Sequence, residues 1–325
     1  VIRGEAEVSS RRTIPIPLIE DARKHIYNAA IRTPLVRLNA SDTPCEIYLK
    51  LENLQPIGSF KIRGAYNAVR LLPESERACG VWTISAGNAG QGVALAAQKV
   101  GVPCKVLVMD TAPATKLDAI RRLGGEIVKA GFDECWKALG ERRHPAMSGA
   151  FVHPFEDDEF IAGNASIGLE ILEDLPDVQA VVAAFGGGGL SCGIASAMQA
   201  VRPEVKVFAA EPETAAPLTA SFSDGSAQGF PNWQASWVDG CGGKSVFPRM
   251  WALAHHLLAG SVVVTLEETR RAMKLIAERN HVIAEGAGAC AVAAAMTRKC
   301  GSGKVVAVVS GGNIDLSKFQ ELVCA

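Results

Sequence analysis

Ala180-Val181-Val182-Ala183-Ala184-Phe185-Gly186-Gly187-Gly188-Gly189-Leu190 reads as a buried strand that runs through a glycine turn into a helix. Six apolar residues follow one another without polar alternation, as a strand covered on both faces requires. Four glycines then free the backbone to bend, and the pattern from about Leu190 to Val201 is helical. The theme repeats in both directions. Upstream, Cys104–Met109 and Glu126–Lys129 read as strands, after helices over about Gly92–Val100 and Ala114–Leu123. Downstream, Val205–Ala210 and Lys304–Val309 are further apolar strands. Non-alternating strands separated by helices predict an α/β fold with open, mostly parallel, doubly wound sheets. Ser221–Gly243 is polar and aromatic and reads as a long loop, a segment type that often carries function.

Ligands of such sheets collect at the carboxyl ends of the strands. Four glycine-rich turns fall at strand ends or helix starts: Ser85–Asn88, Gly186–Gly189, Gly286–Gly288 and Ser310–Asn313. Together they point to a single site assembled from several strand ends. In the tetraglycine, backbone N–H groups can crowd round an anion while the next helix presents its positive end, which makes a phosphate cradle. It is neither a dinucleotide fingerprint nor a P-loop, since no Gly-Lys-Ser/Thr follows. Standing alone, the run is also compatible with a flexible strand–helix turn.

Composition narrows the class. The chain has 325 residues, enough for one two-lobed enzyme or two compact domains. Its 33 Lys and Arg nearly balance 34 Asp and Glu, so no strong field is available to attract nucleic acid or an anionic membrane. The nine cysteines are scattered without CxxC spacing and read as reduced thiols of a cytoplasmic protein, not as zinc ligands or disulfides. Val1-Ile2-Arg3-Gly4-Glu5-Ala6-Glu7 has no apolar core and is not expected to be a signal peptide. The greasy Gly286–Met296 stretch is too short to span a bilayer.

Lys61 lies in Gly58-Ser59-Phe60-Lys61-Ile62-Arg63-Gly64. Read alone it is a surface lysine near a helix start. Its surroundings change that reading. Lys50-Leu51-Glu52-Asn53-Leu54-Gln55-Pro56 leads into Ser59–Ala65, and Ser85–Gly92, His153-Pro154-Phe155, the tetraglycine, Glu285–Ala289 and Ser310-Gly311-Gly312-Asn313 follow in that order. This series resembles the fold type II pyridoxal-phosphate (PLP) enzymes, the group of threonine and serine dehydratases, serine racemase and tryptophan synthase β. The likeness runs from about Thr33 to Leu316.

The resemblance implies a role for each matching residue. Lys61 would be the Schiff-base lysine and the base at the substrate's Cα, a task suited to an amine whose pKa is lowered by burial. Phe60 would lie against the pyridine ring, Asn88 would bond the ring's 3′-oxygen, and Gly186, Gly187, Gly188 and Gly189 would hold the phosphate. Ser85, Ala86, Gly87, Asn88 and Ala89 would bind the substrate carboxylate through backbone N–H groups. Ser310 would face the pyridine nitrogen. A hydroxyl is a poorer partner for a pyridinium than a carboxylate, so charge at Cα is best relieved by loss of a β leaving group, which favours elimination.

Departures from the family pattern refine the expectation. Serine racemase has a second Ser in its Ser-Ser-Gly-Asn turn as acid–base opposite the lysine; Ala86 stands there, so racemisation is expected to be poor. The dehydratase turn Ser-Ala-Gly-Asn-His-Ala-Gln-Gly here has Ala89 for the His, and the usual Gly-Gln-Gly-Thr is Gly163-Asn164-Ala165-Ser166. Both changes are expected to enlarge the pocket, favouring a bulky β-substituent such as the phenyl of phenylserine over the methyl of threonine. Some relatives bind a divalent cation through a Glu and an Asp; Glu211 is present but Pro217 takes the Asp position, so no metal is expected. Biosynthetic threonine dehydratases continue into regulatory domains, whereas the sequence stops at Ala325, and isoleucine feedback through such a domain is not expected.

The expected product is therefore a PLP-dependent ammonia-lyase acting on a small-molecule amino acid, monomeric or homodimeric. Its larger lobe would comprise 1–78 and 152–325, with 79–151 as a smaller lobe closing on the substrate. Glu285 is placed near the ring or at a helix cap; Asp239, Gly240, Trp233 and Trp237 in a loop near the cofactor; and His153 close to the site. Threonine or serine lyase activity, another PLP activity on this fold and a non-catalytic α/β ligand binder remain the alternatives.

Overall fold

The apolar runs form two separate sheets in the computed structural model, which describes residues 12–324; the acidic segment Val1–Glu7 lies outside them. The first part of the chain forms α1 (Ile16–His25), β1 (Leu35–Arg37), β2 (Glu46–Lys50), α2 (Lys61–Leu71), α3 (Glu74–Arg77), β3 (Val81–Ile84), α4 (Asn88–Val100), β4 (Cys104–Met109), α5 (Ala114–Arg122), β5 (Gly125–Ala130), α6 (Phe132–Glu141) and β6 (Ala150–Phe151). Then come α7 (Asp158–Asp174), β7 (Ala180–Ala184), α8 (Ser191–Val201), β8 (Lys206–Pro212), α9 (Pro217–Asp224), α10 (Pro248–Leu257), β9 (Gly260–Val264), α11 (Leu266–Asn280), α12 (Gly286–Met296), β10 (Lys304–Val308) and α13 (Leu316–Cys324).

The larger sheet has the order β1-β2-β10-β7-β8-β9, and the smaller β5-β4-β3-β6. Every pairing is parallel except β1 with β2. The α/β reading therefore holds, with the one antiparallel pair at an edge. The lack of alternation in β7 has a direct cause. Val181 and Ala183 enter one apolar layer with α7 and α8, while Ala180, Val182 and Ala184 enter another with α12. Successive side chains point to opposite faces, so both sets must be apolar when both faces are covered. α12 is buried from Gly286 to Ala295, and its small residues let it lie close against β7, β8 and β10.

Short strands escaped the sequence reading. β3 is only four residues, and Thr83 interrupts its apolar run; the Thr83 hydroxyl is buried and donates to the Val152 carbonyl at 2.8 Å. The expected loop at 221–243 begins inside α9, which continues to Asp224. That helix has no apolar periodicity to announce it, and its start is set by tertiary contact: Glu211 accepts from Leu218 N at 2.7 Å and Thr219 N at 2.9 Å, taking up amides left free at a helix start.

Beneath α2 lies a wholly buried charge network. The Arg63 guanidinium donates to both carboxylate oxygens of Glu52 at 2.8 Å, and to Glu170 at 2.6 and 3.0 Å. Lys50 closes the set with Glu170 at 2.7 Å. Two carboxylates thus face two cations, and both Arg63 contacts are forked. The network ties β2, α2 and α7 together and fixes the start of α2, where Lys61 stands.

Candidate active site

Lys61 is the first residue of α2. The chain before it is anchored to the turn after β10: Phe60 N donates to Ser310 O at 3.0 Å, and Ser59 bridges Gly311. The Lys61 ammonium donates to the Pro154 carbonyl at 2.6 Å, with the Phe60 ring centroid 5.2 Å away. Burial pushes the Lys61 pKa down to about 8, with the Glu285 charge opposing the shift. The sequence read alone suggested a surface lysine; the fold makes it a desolvated amine.

His153 explains why the Pro154 carbonyl is there. Its Nδ1 accepts from Glu156 N at 3.1 Å and Phe155 N at 3.4 Å, so the ring curls the 153–156 turn around itself. Burial foremost, together with the nearby Arg142, Lys61 and Arg249 cations, pushes its pKa down to about 2, which keeps Nδ1 free to accept. His153 does not itself line the cavity that Lys61 faces.

The tetraglycine crosses the end of β7 against that same turn. A Cβ on Gly187 would stand 2.3 Å from the Phe155 ring, and one on Gly189 would stand 2.8 Å from the Phe155 carbonyl. Gly188 has φ +91°, a conformation side-chain-bearing residues rarely adopt. These glycines are required by space and by backbone angle, and α8 begins directly after them. Asn164 couples the loop to the lysine helix, accepting from Gly64 N and donating to Gly189 O, both at 3.1 Å. The pocket-enlarging role expected for Gly163–Ser166 is corrected by this placement. The segment lies inside α7, packed on α2 and away from the cavity, because Gly163 needs its missing Cβ to approach the Arg63 carbonyl.

The Ser85–Ala89 turn enters from the smaller sheet. Gly87 N donates to Ser85 Oγ at 3.1 Å. Gly90 cannot carry a Cβ, which would lie 2.2 Å from the Ser85 carbonyl. Asn88 donates to Glu285 at 2.7 Å and accepts from Asn313 at 2.7 Å, leaving one amide hydrogen uncommitted to these partners. Burial pushes the Glu285 pKa up to about 7, aided by the Asp239 charge and opposed by the bond from Asn88. Glu285 stands at the N-cap position of α12 without a side-chain cap bond, and it lines the cavity.

One cavity of about 540 Å³ gathers Phe60, Lys61, Ser85–Ala89, Gly186–Gly189 and Ser310, the residues that the resemblance assigns to cofactor and carboxylate. Asp239, Gly240 and Glu285 line it as well. Trp233 and Trp237 stand behind, Trp233 donating to the Gly242 carbonyl and Trp237 packing against Gly286. Sequence reasoning missed Asn313 as the partner of Asn88, the Pro154 carbonyl, and an aromatic wall on α6 formed by Phe132 and Trp136. Glu211, besides capping α9, accepts from Thr219 Oγ1 at 2.8 Å and Ser261 Oγ at 2.7 Å.

These residues fit pyridoxal phosphate. A glycine cradle at a helix start suits the phosphate, a buried amine of lowered pKa suits the aldehyde carbon, and a hydroxyl residue and an amide from other strand ends face the same space. The comparisons with known proteins agree. The family model described as pyridoxal-phosphate dependent enzyme matches residues 26–311. The chain is 41% identical over 310 residues to an L-threonine ammonia-lyase of Thermotoga maritima, covering 94% of this chain and 77% of that one. It is 36% identical over 318 residues to the catabolic L-threonine dehydratase of Escherichia coli, covering 95% and 96%. Among solved structures, the processed threonine deaminase isoform 2 of Solanum lycopersicum superposes with a TM-score of 0.84 at 32% identity, covering 99% of this chain and 97% of that one. Maize serine racemase gives 0.87 at 29%, covering 95% and 97%. The chain belongs to the pyridoxal-phosphate dependent enzymes, as a fold type II member of the threonine and serine dehydratase-like group.

Proposed function

We propose that this chain, a pyridoxal-phosphate-dependent ammonia-lyase, acts on a β-hydroxy-α-amino acid with a bulky, aromatic β-substituent such as phenylserine. The products would be a 2-keto acid and ammonia, formed by loss of water across Cα and Cβ and then hydrolysis of the released enamine by water. The observation that carries the elimination is the Lys61 amine, pKa about 8, facing the cavity that the tetraglycine and Ser310 share. Pyridoxal phosphate, when bound, supplies a ring that draws electrons away from the substrate's Cα. The residues then divide the work. Gly186–Gly189 would hold the phosphate with backbone N–H groups and the start of α8. Asn88, steadied by Glu285 and Asn313, would orient the ring with its remaining amide hydrogen. The Ser85–Ala89 turn would receive the carboxylate, and Lys61 would take the Cα proton. Ser310, a hydroxyl residue on the cavity wall, would offer no charge to the ring nitrogen, which would favour rapid departure of the β-hydroxyl. Ala86 lines the cavity with a methyl group, so no acid stands there to reprotonate Cα, in keeping with poor racemisation.

The bulky substituent is supported by Ala89, a small residue lining the cavity beside the carboxylate turn. Threonine or serine is the second reading, favoured by the names of the curated relatives. Specificity constants for threonine, serine and phenylserine separate the two. A clear preference for threonine removes the large-substituent reading. The wild-type protein should absorb near about 410 nm through its lysine-linked cofactor, and Lys61→Ala should lose the band.

The lobes would be 1–78 with 152–325, and 79–151, the smaller closing on the substrate. Supporting this, Lys116 on α5 pairs with Asp239 across the cleft between the sheets. We place the enzyme in the cytoplasm as a monomer or homodimer; the nine cysteines, all unpaired, suit a reducing compartment. No described helix is long and apolar enough to cross a membrane.

A further inference from the structure

Once the cofactor and carboxylate positions are set aside, one part of the cavity is left without a task. It is walled by α6 and is strongly aromatic. Phe132 and Trp136 stack with ring centroids 6.4 Å apart and planes 7° from parallel. Trp136 also meets Phe247 edge-on at 5.8 Å, and Phe247 meets Phe155 at 5.4 Å. Phe155 is the ring packed on the tetraglycine, so the aromatic chain runs from the phosphate cradle to α6.

Phe132 and Trp136 remain 45% and 41% exposed, while Cys135, Ala138 and Leu139 on the same helix are buried. Cys135 and Leu139 line the cavity together with the two rings, so Phe132 and Trp136 are the part of an apolar α6 surface that stays exposed there. Both line the cavity that holds Lys61 and the Ser85–Ala89 turn. The cations at this rim are engaged. Lys116 pairs with Asp239, and Lys244 lies 4.3 Å from the Phe132 centroid and 4.3 Å from the Trp233 centroid. A carboxylate-bearing side chain would have to displace one of these contacts to find a partner, whereas a flat apolar ring needs only the exposed face of the wall.

We propose that Phe132 and Trp136 form the subsite for the substrate's β-substituent, with Trp136 as a specificity-determining residue that favours an aromatic or large apolar group over a methyl group or a carboxylate. This rests on the placement of the carboxylate and Cα given under Proposed function and names the residues that would receive the rest of the substrate.

Binding of L-phenylalanine and L-alanine to the cofactor-loaded protein tests it, read as the change in the band near about 410 nm. Neither amino acid has a β leaving group, so the measurement does not depend on elimination. Wild type should bind phenylalanine at least about tenfold tighter than alanine, as burying several apolar carbons requires. Trp136→Ala should reduce that ratio to about threefold or less with alanine affinity little changed, and Trp136→Phe should keep most of it. Phe132→Leu supplies a second wall variant should Trp136→Ala not load cofactor. Equal affinities in wild type, or a ratio that survives in the wall variants, overturns the subsite. Failure of wild type to release ammonia from every β-hydroxy-α-amino acid would instead overturn the elimination, and the phenylalanine-to-alanine ratio would still decide the subsite.

Discussion

Asn88 donates to the Glu285 carboxyl at 2.7 Å, joining the turn after the smaller sheet's β3 to the start of α12 on the larger sheet. The two residues are 197 positions apart in the chain. The contact links the amide proposed to orient the cofactor to an ionisable group, because Glu285 has its pKa raised from 4.5 to about 7, by burial first and then by Asp239.

That shift makes a stability prediction for the cofactor-free protein. Between about pH 4.5 and 7 the unfolded chain releases the Glu285 proton while the folded chain keeps it. Stability contributed by the neutral carboxyl is thus full below pH 4.5 and lost as pH rises to 7, amounting to about 3 kcal/mol at most. Glu285→Gln keeps an acceptor for Asn88 and cannot ionise. Its melting temperature should decline less than wild type's across this window in differential scanning calorimetry. Parallel declines would show that Glu285 ionises normally in the fold.

Lys61 should betray its lowered pKa when cofactor is added back. Only the neutral amine attacks the aldehyde, so the rate of reconstitution should climb with pH and level off above about 8. An ordinary lysine would drive a rise continuing to about pH 10. Stopped-flow absorbance over pH 6.5–10 distinguishes the two curves.

Arg63 should be far more costly to remove than a surface arginine. Arg63→Met leaves Glu52 buried without its cation and Glu170 with Lys50 alone. Breaking such a network by deleting one partner costs about 3–5 kcal/mol. Urea unfolding should show that loss, whereas a surface arginine such as Arg271 changed to Met should cost below about 1 kcal/mol.

His153 should be replaceable by a residue that offers an acceptor at the same place. Asn can accept from amides two and three residues on, as His153 Nδ1 does from Phe155 and Glu156. His153→Asn is therefore expected to retain at least about a third of wild-type cofactor affinity, and His153→Leu to lose about tenfold or more through the loosened Pro154 carbonyl and Phe155 ring. Equal affinities in the two variants would falsify this account of the turn.

Local patterns carried much of this. The central strands were legible because burial on both faces forces unbroken apolar runs, as in β7 and β10. β3 and α9 were not, since Thr83 is satisfied by a distant carbonyl and α9 is started by the distant Glu211. The glycine turns and Lys61 stood out through spacing and family resemblance. Ala89, expected to enlarge the pocket, lines the cavity, while Gly163–Ser166, given the same expectation, lies in α7 outside it, because a substitution pattern does not reveal which way a helix faces.

By itself, then, the sequence determined the α/β class and the order of the glycine turns, for these follow from periodicity and residue type along the chain, while Lys61 was singled out by family resemblance. Only the tertiary structure decided that Lys61 is desolvated, that Glu285 and Asn313 hold Asn88 from both sides, and that Phe132 and Trp136 wall the same cavity. Burial, charge proximity and shared space depend on segments far apart in the chain meeting, and such meetings leave no mark in local sequence.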